Sequence, residues 1–551
     1  METMEFNLLR EPWVRVRTQD CTVQEVSLTD ALLHAHAYVD LAGEMPTQDA
    51  AMLRLLLAVL HTVFSRVDGN GVPTPFEEPR DALQRWGKLW QLGHFPEQPI
   101  RDYLDKWQDR FWLFHPERPF WQVPEVRNGI EFGGKKLNGE RSESGHTVRL
   151  FQNVSGGECE KLTYAQAARW LVYLNGYDER GGRPKAGNKP RHGVGWLGQI
   201  GFIIVKGKNL FETLMRNMVL AEREEDLLEE QKPCWELNQI RTEQSTEVPM
   251  PWNAAELLTL QSRRIILKRS LDMKGVAGYE LLGGDYIEPR DAFSEKMTIW
   301  RRVSKENEKR VYMPQQHDPS RQLWREFPAI LNKESHKPGV LNWNLQLQNK
   351  GILSRKEQIV FQIVGVRYDE QEASVKDCYT DQLSVQLELL NVLGRRWTER
   401  IEREVQNCME AAEKIGQLDK GLKLAGGLDP SRFKAFKDAQ KMTEAARAQF
   451  YFAVDQPFRR WLQSIDPETD EPVEKAAEWQ EQAYRLAAEL GRQMVEQAGA
   501  AAFVGRRIPD AKNKDKSCLY TAPKAYNSFL YDLRKLYPKQ DEGGTELKPM
   551  R

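Results

Sequence analysis

The chain has 551 residues, with 79 lysines and arginines against 80 aspartates and glutamates, so its formal net charge is −1. This length predicts about three or four domain-sized units, or two large ones, and is sufficient for a large buried core. A hydrophobic share of 40% and a charged share of 29% exclude disorder throughout. Because positive charge is not in excess, any contact with a polyanion must come from local basic patches.

The six cysteines are scattered, and no two form a C-x-x-C pair. This spacing argues against a zinc finger or a disulfide scaffold and fits a reducing cytosol. The first residues contain acids and no apolar run, so no signal peptide is expected. The most apolar stretch, Met52 to Val63, contains Arg54 and His61 and predicts a buried helix rather than a membrane span. The sequence therefore predicts a cytoplasmic protein without a membrane partner.

The N-terminal part mixes strand and helix signals. Alternating valines between Phe6 and Leu28 predict a β-hairpin, and Ser27 with Asp30 has the pattern that begins a helix. The further elements expected in chain order are an apolar helix at Asp49–Val67, a helix at Thr163–Leu174, a buried strand at Gln199–Val205, a helix at Asn209–Leu220, an acidic solvated helix face at Ala221–Glu230, and strands at Arg264–Leu267, Tyr279–Leu282 and Met297–Arg302.

Three segments have the composition of protruding loops. Residues 136–160 are polar and rich in glycine, and loops of this length are usually functional or disordered. Residues 180–191 contain glycines, prolines and five positive side chains: Arg180, Arg183, Lys185, Lys189 and Arg191. Such a loop can bring backbone and positive charge close to phosphate, although a solvent-exposed linker has the same composition. Residues 359–381 predict a β-hairpin with a polar tip at Asp369–Glu372.

Beyond residue 380 the chain has the period of amphipathic helices. Apolar positions from Leu383 to Ile415 recur about every 3.6 residues, which predicts one long helix. Three more helices are expected at Pro430–Ile465, at Pro472–Gln497 and at Ala522–Tyr537, with Pro457 kinking or breaking the first of these. The predicted fold class is α+β: a large mixed α/β N-terminal domain (1–380) followed by a C-terminal four-helix bundle (381–551).

No motif for catalysis is found. None of the nine histidines lies in H-E-x-x-H, and no G-x-S-x-G is present. The glycine-bearing segment Gly201–Asn209 has the wrong spacing for a phosphate loop and places asparagine where serine or threonine is needed. The sequence therefore predicts a protein that is not an enzyme.

Five segments in order make the chain similar to one family. They are FNLLREPWVRVR (6–17), TVRLFQNVSGGE (147–158), the long segment RHGVGWLGQIGFIIVKGKNLFETLMRNMVL (191–220), VGVRYDEQEAS (364–374) and APKAYNSFLYDLRKLYP (522–538). Together they resemble the CasA family, the large subunit of the type I-E CRISPR surveillance complex Cascade, over essentially the whole chain. The resemblance implies a subunit that recognises the protospacer-adjacent motif on double-stranded DNA, helps to open the duplex for R-loop formation, and recruits the helicase-nuclease for antiviral defence. It also implies a ribonucleoprotein with the guide crRNA and the backbone, small and RNA-end-binding subunits.

The resemblance also implies DNA-binding residues. Phe151 and Asn153 fall in the loop that contacts the motif, and Gln371 falls where the family has a glutamine wedge at the hairpin tip. The implied glycine loop maps to Gly181 and Gly182 or to Gly187, beside Arg180, Arg183 and Lys185, and the implied lysine finger is Lys274. Acidic neighbours at the tip should repel phosphate, which favours a mechanical role for Gln371. Single cysteines, Cys159 and Cys234, stand near the places of the two cysteine pairs that bind zinc in some members, so no metal and no cofactor are expected.

Two other classes stay open at the level of sequence. One is a nuclease that acts alone, which would show metal-dependent cleavage. The other is a protein scaffold subunit of a ribonucleoprotein, which would never contact DNA.

Overall fold

A computed structural model describes residues 4–126, 129–137, 161–180, 193–303, 310–331, 336–369, 374–391, 394–429, 441–509 and 517–538. The chain divides into two compact units, Met1–Arg355 with Ile359–Leu383, and Lys356–Gln358 with Ser384–Arg551. The mixture of helices and strands confirms the predicted α+β class.

The first unit combines short strands with helices. The strands are β1 (Glu5–Asn7), β2 (Val14–Thr18), β3 (Val23–Val26), β4 (Tyr38–Leu41), β5 (Trp112–Phe114), β6 (Ile130–Gly133), β7 (Phe202–Lys206), β8 (Thr246–Glu247), β9 (Arg263–Arg269), β10 (Val276–Gly283), β11 (Asp285–Tyr286), β12 (Trp300–Arg302), β13 (Tyr312–Pro314), β14 (Gln358–Tyr368) and β15 (Val375–Gln386), the last two extending into the second unit. The helices are α1 (Leu28–Leu33), α2 (Pro46–Arg66), α3 (Pro79–Leu92), α4 (Glu97–Lys106), α5 (Gly134–Leu137), α6 (Tyr164–Tyr177), α7 (Trp196–Gln199), α8 (Leu210–Asn217), α9 (Ala254–Leu258), α10 (Phe327–Leu331) and α11 (Gly339–Asn349).

The strands form several small sheets rather than one large sheet. Three of them have three strands, in the orders β3-β2-β4, β6-β10-β9 and β15-β14-β7. Val14 lies opposite Val26 in the antiparallel pair β2–β3, which confirms the predicted N-terminal hairpin. Ser27 accepts a hydrogen bond from the backbone N–H of Asp30 and so caps α1 as expected.

Helix α2 forms the centre of the first unit. Nearly all its side chains are buried, including the apolar run around Leu55, as the sequence predicts. Its one buried guanidinium, Arg54, is 3 Å from the buried carboxylate of Glu295, so the charge is paired. Within the described part of the chain, no helix combines the length and the apolar character needed to cross a bilayer.

The imidazole of His61 lies on this buried helix and makes the stability of the fold pH-dependent. Burial lowers the pKa of His61 from 6.5 to about 4, so the folded chain keeps the ring neutral while the unfolded chain takes up a proton. Stability from this group should be complete above pH ~6.5 and be lost as the pH falls toward 4. His61→Leu should reduce this acid-side loss by about 2 kcal/mol between pH 7 and pH 4.5, measured by calorimetric unfolding.

The matched control for this experiment is the exposed His94, because His94→Leu removes an imidazole without removing a buried one. Its unfolding temperature should fall with pH in parallel with that of the unchanged protein. Parallel curves for His61→Leu and the unchanged protein would show that His61 does not couple folding to protonation.

The acidic segment Ala221–Glu230 differs from the expected helix face. Its regular part is a single 3₁₀ turn at Glu224–Leu227. Glu222 and Asp226 both bind the amino group of Lys296, at 3.3 and 3.0 Å. Two of the acids are thus used in ion pairs that fix a turn, which explains why the charge run does not form a solvated helix.

The second unit contains four long helices and a small hairpin among its described residues. The elements are α12 (Arg395–Ala425), α13 (Glu444–Gln463), α14 (Pro472–Gln497), α15 (Gly499–Val504), β16 (Arg506–Pro509), β17 (Ser517–Tyr520) and α16 (Ala522–Leu536). Helix α12 packs against α13, α14 and α16. Its buried face includes Trp397, Ile401, Val405 and Cys408, which are positions of the predicted stripe.

One expectation for this region is wrong in detail, and a second is narrowed. The predicted first helix begins at Arg395 and not at Leu383, because Leu383 and Val385 alternate as buried residues of β15 and Leu387–Leu390 form a 3₁₀ turn. Of the two effects expected of Pro457, the break is excluded, because α13 continues through it to Gln463, and the kink stays a prediction. Buried Val454 and Phe458 on either side of Pro457 hold the segment in place by packing, which offsets the lost backbone hydrogen bond.

Candidate nucleic-acid interface

Most of the predicted DNA-binding residues lie outside the described part of the chain. These are Phe151, Asn153, Gly181, Gly182, Arg183, Lys185, Gly187 and Gln371. Arg180 and Lys274 are described, and both are exposed. The described residues on either side of each predicted loop show where these loops join the fold.

Helix α6 connects the first two predicted loops. The segment 138–160 returns to the described chain at Lys161, just before α6, and the segment 181–192 leaves it at Arg180, just after α6. A capping box between Thr163 and Gln166 fixes the start of the helix. With 14 residues, α6 is about 21 Å long, so the return of the first loop and the start of the basic loop are about six base-pair steps apart.

Both ends of the segment 138–160 meet strand β10. Before the segment, Gly133 of β6 lies opposite Gly278 of β10. After it, Leu162 pairs with Val276 through two backbone hydrogen bonds of 3.0 and 2.8 Å. The chain on both sides of the segment therefore pairs with the same strand, through Gly133 before α5 and through Leu162 after the segment.

The β9–β10 turn, which carries Lys274, adjoins this base. The amino group of Lys161 lies 2.9 Å from a carboxylate oxygen of Asp272 in the turn. The hydroxyl of Tyr164 donates to the backbone oxygen of Met273. The Lys161 ammonium, with further hydrogen bonds, holds the pKa of Asp272 well below its usual range, so this carboxylate stays charged. The structure thus brings Lys274 and the return of the first loop together.

The two ends of the basic loop are joined by Arg263. This guanidinium is 0% exposed, and its Nη2 donates to the backbone oxygens of Asp178, Glu179 and Gly193, at 3.1, 3.2 and 2.8 Å. Its Nε also donates to the carboxylate of Asp178. One buried side chain therefore holds residues on both sides of the segment 181–192, and we call this set of contacts the arginine clamp.

An ion pair connects the first loop to the basic loop. Lys136 was expected in the loop 136–160 but lies in α5, because the helix continues to Leu137. Its amino group contacts the carboxylate of Glu179. The side chains are only 15% and 8% exposed, so solvent screens this pair weakly. Because Glu179 also belongs to the arginine clamp, the starts of both loops are fixed to one another.

The predicted third hairpin is confirmed as β14 and β15, and it is attached to the C-terminal end of α6. The hydroxyl of Tyr368, the last residue of β14, donates to the backbone oxygen of Tyr177 at 2.7 Å. Next to it, the backbone N–H of Asp369 donates to the oxygen of Ser374 at 3.0 Å and closes the base of the tip. Gln371 lies between these residues, outside the described part.

The sequence predicts the loops, but it missed the residues that join their flanks in the structure. These are Arg263, Lys136, Glu179 and Tyr368. The adjacent arginines Arg263 and Arg264 stand directly before the apolar run Ile265–Leu267. They were a signal for buried pairing, since charged residues are rarely buried unpaired. The other three gave no signal of their own.

The described residues contain few features of catalysis. No group of three or more histidine, cysteine or acidic side chains in this part of the chain is placed to hold a metal ion. Cys234, the one described residue of the pair considered for zinc, is a free thiol whose pKa burial raises to about 12. Among the described residues, the arrangement joins the flanks of the predicted loops and places the exposed Arg180 and Lys274 beside them.

Comparison with known proteins is consistent with this geometry. The family model of the CRISPR-associated protein Cse1 matches residues 7–490. The CRISPR-associated protein CasA/Cse1 of Thermus thermophilus is 29% identical over 426 residues, which cover 75% of this chain and 76% of that protein.

Solved structures are similar over almost the whole length. The crystal structure of Thermobifida fusca Cse1 has a TM-score of 0.79 at 29% identity and covers 97% of this chain and 98% of that one. Cse1 from Acidimicrobium ferrooxidans has a TM-score of 0.75 at 25% identity, covering 98% and 100%. The chain therefore belongs to the CRISPR-associated Cse1 (CasA) family, the large subunit of the type I-E Cascade surveillance complex.

Proposed function

We propose that the chain recognises the protospacer-adjacent motif on double-stranded DNA, opens the duplex to start R-loop formation, and helps to recruit the helicase-nuclease for antiviral interference. One observation supports this most: the bases of the three predicted protrusions are joined through α6. The chain on both sides of residues 138–160 pairs with β10, near Lys274. The arginine clamp holds the residues that flank 181–192, and the hairpin is attached at Tyr177. Three protrusions on one rigid base can act on one duplex together.

Exposed positive side chains lie at this base. The described residues offer the side chain of Lys274 no ion-pair partner, whereas Lys161 and Lys136 are both paired with acids. Arg180 is exposed at the start of the basic loop. Phosphate contacts position a protein on the duplex, and base contacts specify the sequence. We assign the first role to Arg180, Arg183 and Lys185, and the second to Phe151, Asn153 and Lys274.

The hairpin suits the opening step. Strand β14 pairs with β7 as well as with β15, so it is the central strand of its sheet. A tip on such a base can push a side chain between base pairs without bending away. Separating stacked bases costs a few kcal/mol per step, which contacts to the freed strands can offset. The amide of Gln371 can fill this space and hydrogen-bond a freed base edge.

The proposed partners follow from the same role. As the large subunit, the chain would associate with the guide crRNA and with the backbone, small and RNA-end-binding subunits, in the cytoplasm. It would leave cleavage to the recruited helicase-nuclease. The purified chain should therefore not cut DNA with any added divalent metal, and cleavage by the chain alone would establish the nuclease alternative instead.

Neutralising Arg180, Arg183 and Lys185 together should flatten the salt dependence of duplex binding by the assembled complex. Each lost phosphate contact lowers the slope of log K against log salt by about 0.9, so the expected decrease is about 2 to 3. Binding titrations at four or more salt concentrations measure this slope.

A charge-matched control uses three exposed arginines elsewhere in the first unit, Arg80, Arg101 and Arg290. Their replacement by alanine should leave the slope unchanged. Equal slopes for both triple variants would show that the basic loop does not touch phosphate and would favour the scaffold alternative. Crosslinking of residues 138–160 or 181–192 to duplex DNA would directly distinguish a subunit that contacts DNA from a scaffold subunit that does not.

A further inference from the structure

The β9–β10 turn presents an apolar side chain at its outermost point. Leu271 is 104% exposed and Met273, two residues later, is 50% exposed. Lys274 follows directly and is also exposed. Single exposed apolar side chains are common on protein surfaces and by themselves need no explanation. Two further observations distinguish Leu271.

The first observation is that hydrogen bonds within the turn fix its backbone. The backbone N–H of Ser270 donates to the oxygen of Gly275 at 2.8 Å, and that of Met273 donates to the oxygen of Ser270 at 2.9 Å. The hydroxyl of Ser270 contacts the carboxylate of Asp272, which also accepts from the backbone N–H of Lys274 at 3.3 Å. Met273 has a φ of +55°, an unfavourable value for a side chain of this type that the bracing maintains.

The second observation is that residues outside the turn also contact it and fix its position. Lys161 pairs with Asp272, and Tyr164 donates to the backbone oxygen of Met273. At Gly275, a Cβ atom would lie 2.5 Å from the backbone oxygen of Leu162, so only glycine permits this close approach. A fully exposed leucine is therefore carried on a backbone that cannot fold back to bury it.

We infer that Leu271 inserts between base pairs from the minor groove while Lys274 contacts acceptors in the groove beside it. This inference rests on the proposed function, and it adds an apolar wedge separate from the hairpin tip. Leucine is among the side chains that proteins insert at base steps to unstack and kink duplex DNA. The insertion would bury a side chain that is otherwise fully in water, which gives the contact its free energy.

The test uses the assembled complex and a duplex that carries the motif but does not match the guide, so that strand opening cannot proceed. The adenine analogue 2-aminopurine is placed in turn at each step of the motif, and its fluorescence rises when a base is unstacked. Leu271→Ala should weaken duplex binding about tenfold and remove the rise at one step. Leu271→Met should retain both, because methionine keeps the apolar volume.

Leu228→Ala is the matched control, since Leu228 is 68% exposed in the same unit and lies outside the candidate interface. It should behave as the unchanged complex does. Unchanged affinity and fluorescence for Leu271→Ala, with normal binding by the unchanged complex, would overturn the wedge and leave the proposed function standing. A photocrosslinker at position 271 that captures another subunit instead of DNA would overturn it as well. If the unchanged complex fails to bind the duplex, the proposed function and the wedge both fall.

Discussion

Replacing Arg263 with leucine should destabilise the first unit by about 3–5 kcal/mol, the usual cost of removing one partner of a buried ion pair. The carboxylate of Asp178 is 3% exposed and would remain buried without its cation. Three backbone oxygens on both sides of the basic loop would also lose a donor. Amide hydrogen exchange of peptides from α6, followed at increasing urea concentrations, measures the loss of stability at the helix that the arginine clamp contacts. Duplex binding by the complex should fall with it.

Two comparisons make this result specific. Lys268→Leu changes an exposed cation on the same strand β9, and should cost less than about 1 kcal/mol because surface ion pairs contribute little. Combining Arg263→Leu with Asp178→Asn should cost clearly less than the sum of the two single changes, since the double variant buries no unpaired charge. An additive double variant, or a stability loss no larger than that of Lys268→Leu, would contradict the arginine clamp.

Replacing Gln371 with alanine should leave duplex association within about threefold and slow strand opening at least tenfold. The reason is that the wedge acts after binding, on an unstacking step that costs a few kcal/mol, of which about 1.4 kcal/mol corresponds to tenfold. Association is measured with a duplex that does not match the guide. Opening is measured with a matching duplex, by stopped-flow fluorescence of a dye pair across the first base pairs.

The matched control is Gln358→Ala, because Gln358 is an exposed glutamine at the opposite end of β14. It should change neither association nor opening. If association collapses in Gln371→Ala while Gln358→Ala is normal, Gln371 holds DNA in the initial complex and is not a wedge.

Local sequence patterns were sufficient for most of the fold. The alternation of valines specifies the hairpin at Val14–Val26, and the apolar run at Met52–Val63 specifies a buried helix, since both signals lie within neighbouring residues. The secondary-structure predictions were wrong where contacts between residues far apart in the sequence determine the structure. Periodicity could not separate Leu383 from the helix that follows, because a buried strand and a buried helix face both place leucines inward at such positions.

The candidate site was predictable only in part. The composition of residues 180–191 predicts a basic loop, and Asp369 with its polar neighbours predicts a hairpin tip; most of both segments lies outside the described residues. Arg263, by contrast, contacts residues 70 to 85 positions away, and nothing near it in sequence indicates those partners. The anchoring of Tyr368 on Tyr177 spans 191 positions. Charge and loop length are local properties, but the joining of the loops is a tertiary one.

Site-specific photocrosslinking in the assembled complex tests most directly whether the protrusions act on one duplex. A crosslinker is placed in turn at positions 151, 183, 274 and 371, and the crosslinked bases are mapped on a single motif-bearing duplex. We predict that all four positions crosslink within about one helical turn of the motif, because their bases are joined along the ~21 Å of α6. Crosslinks to separate stretches of DNA, or to other subunits only, would contradict the account.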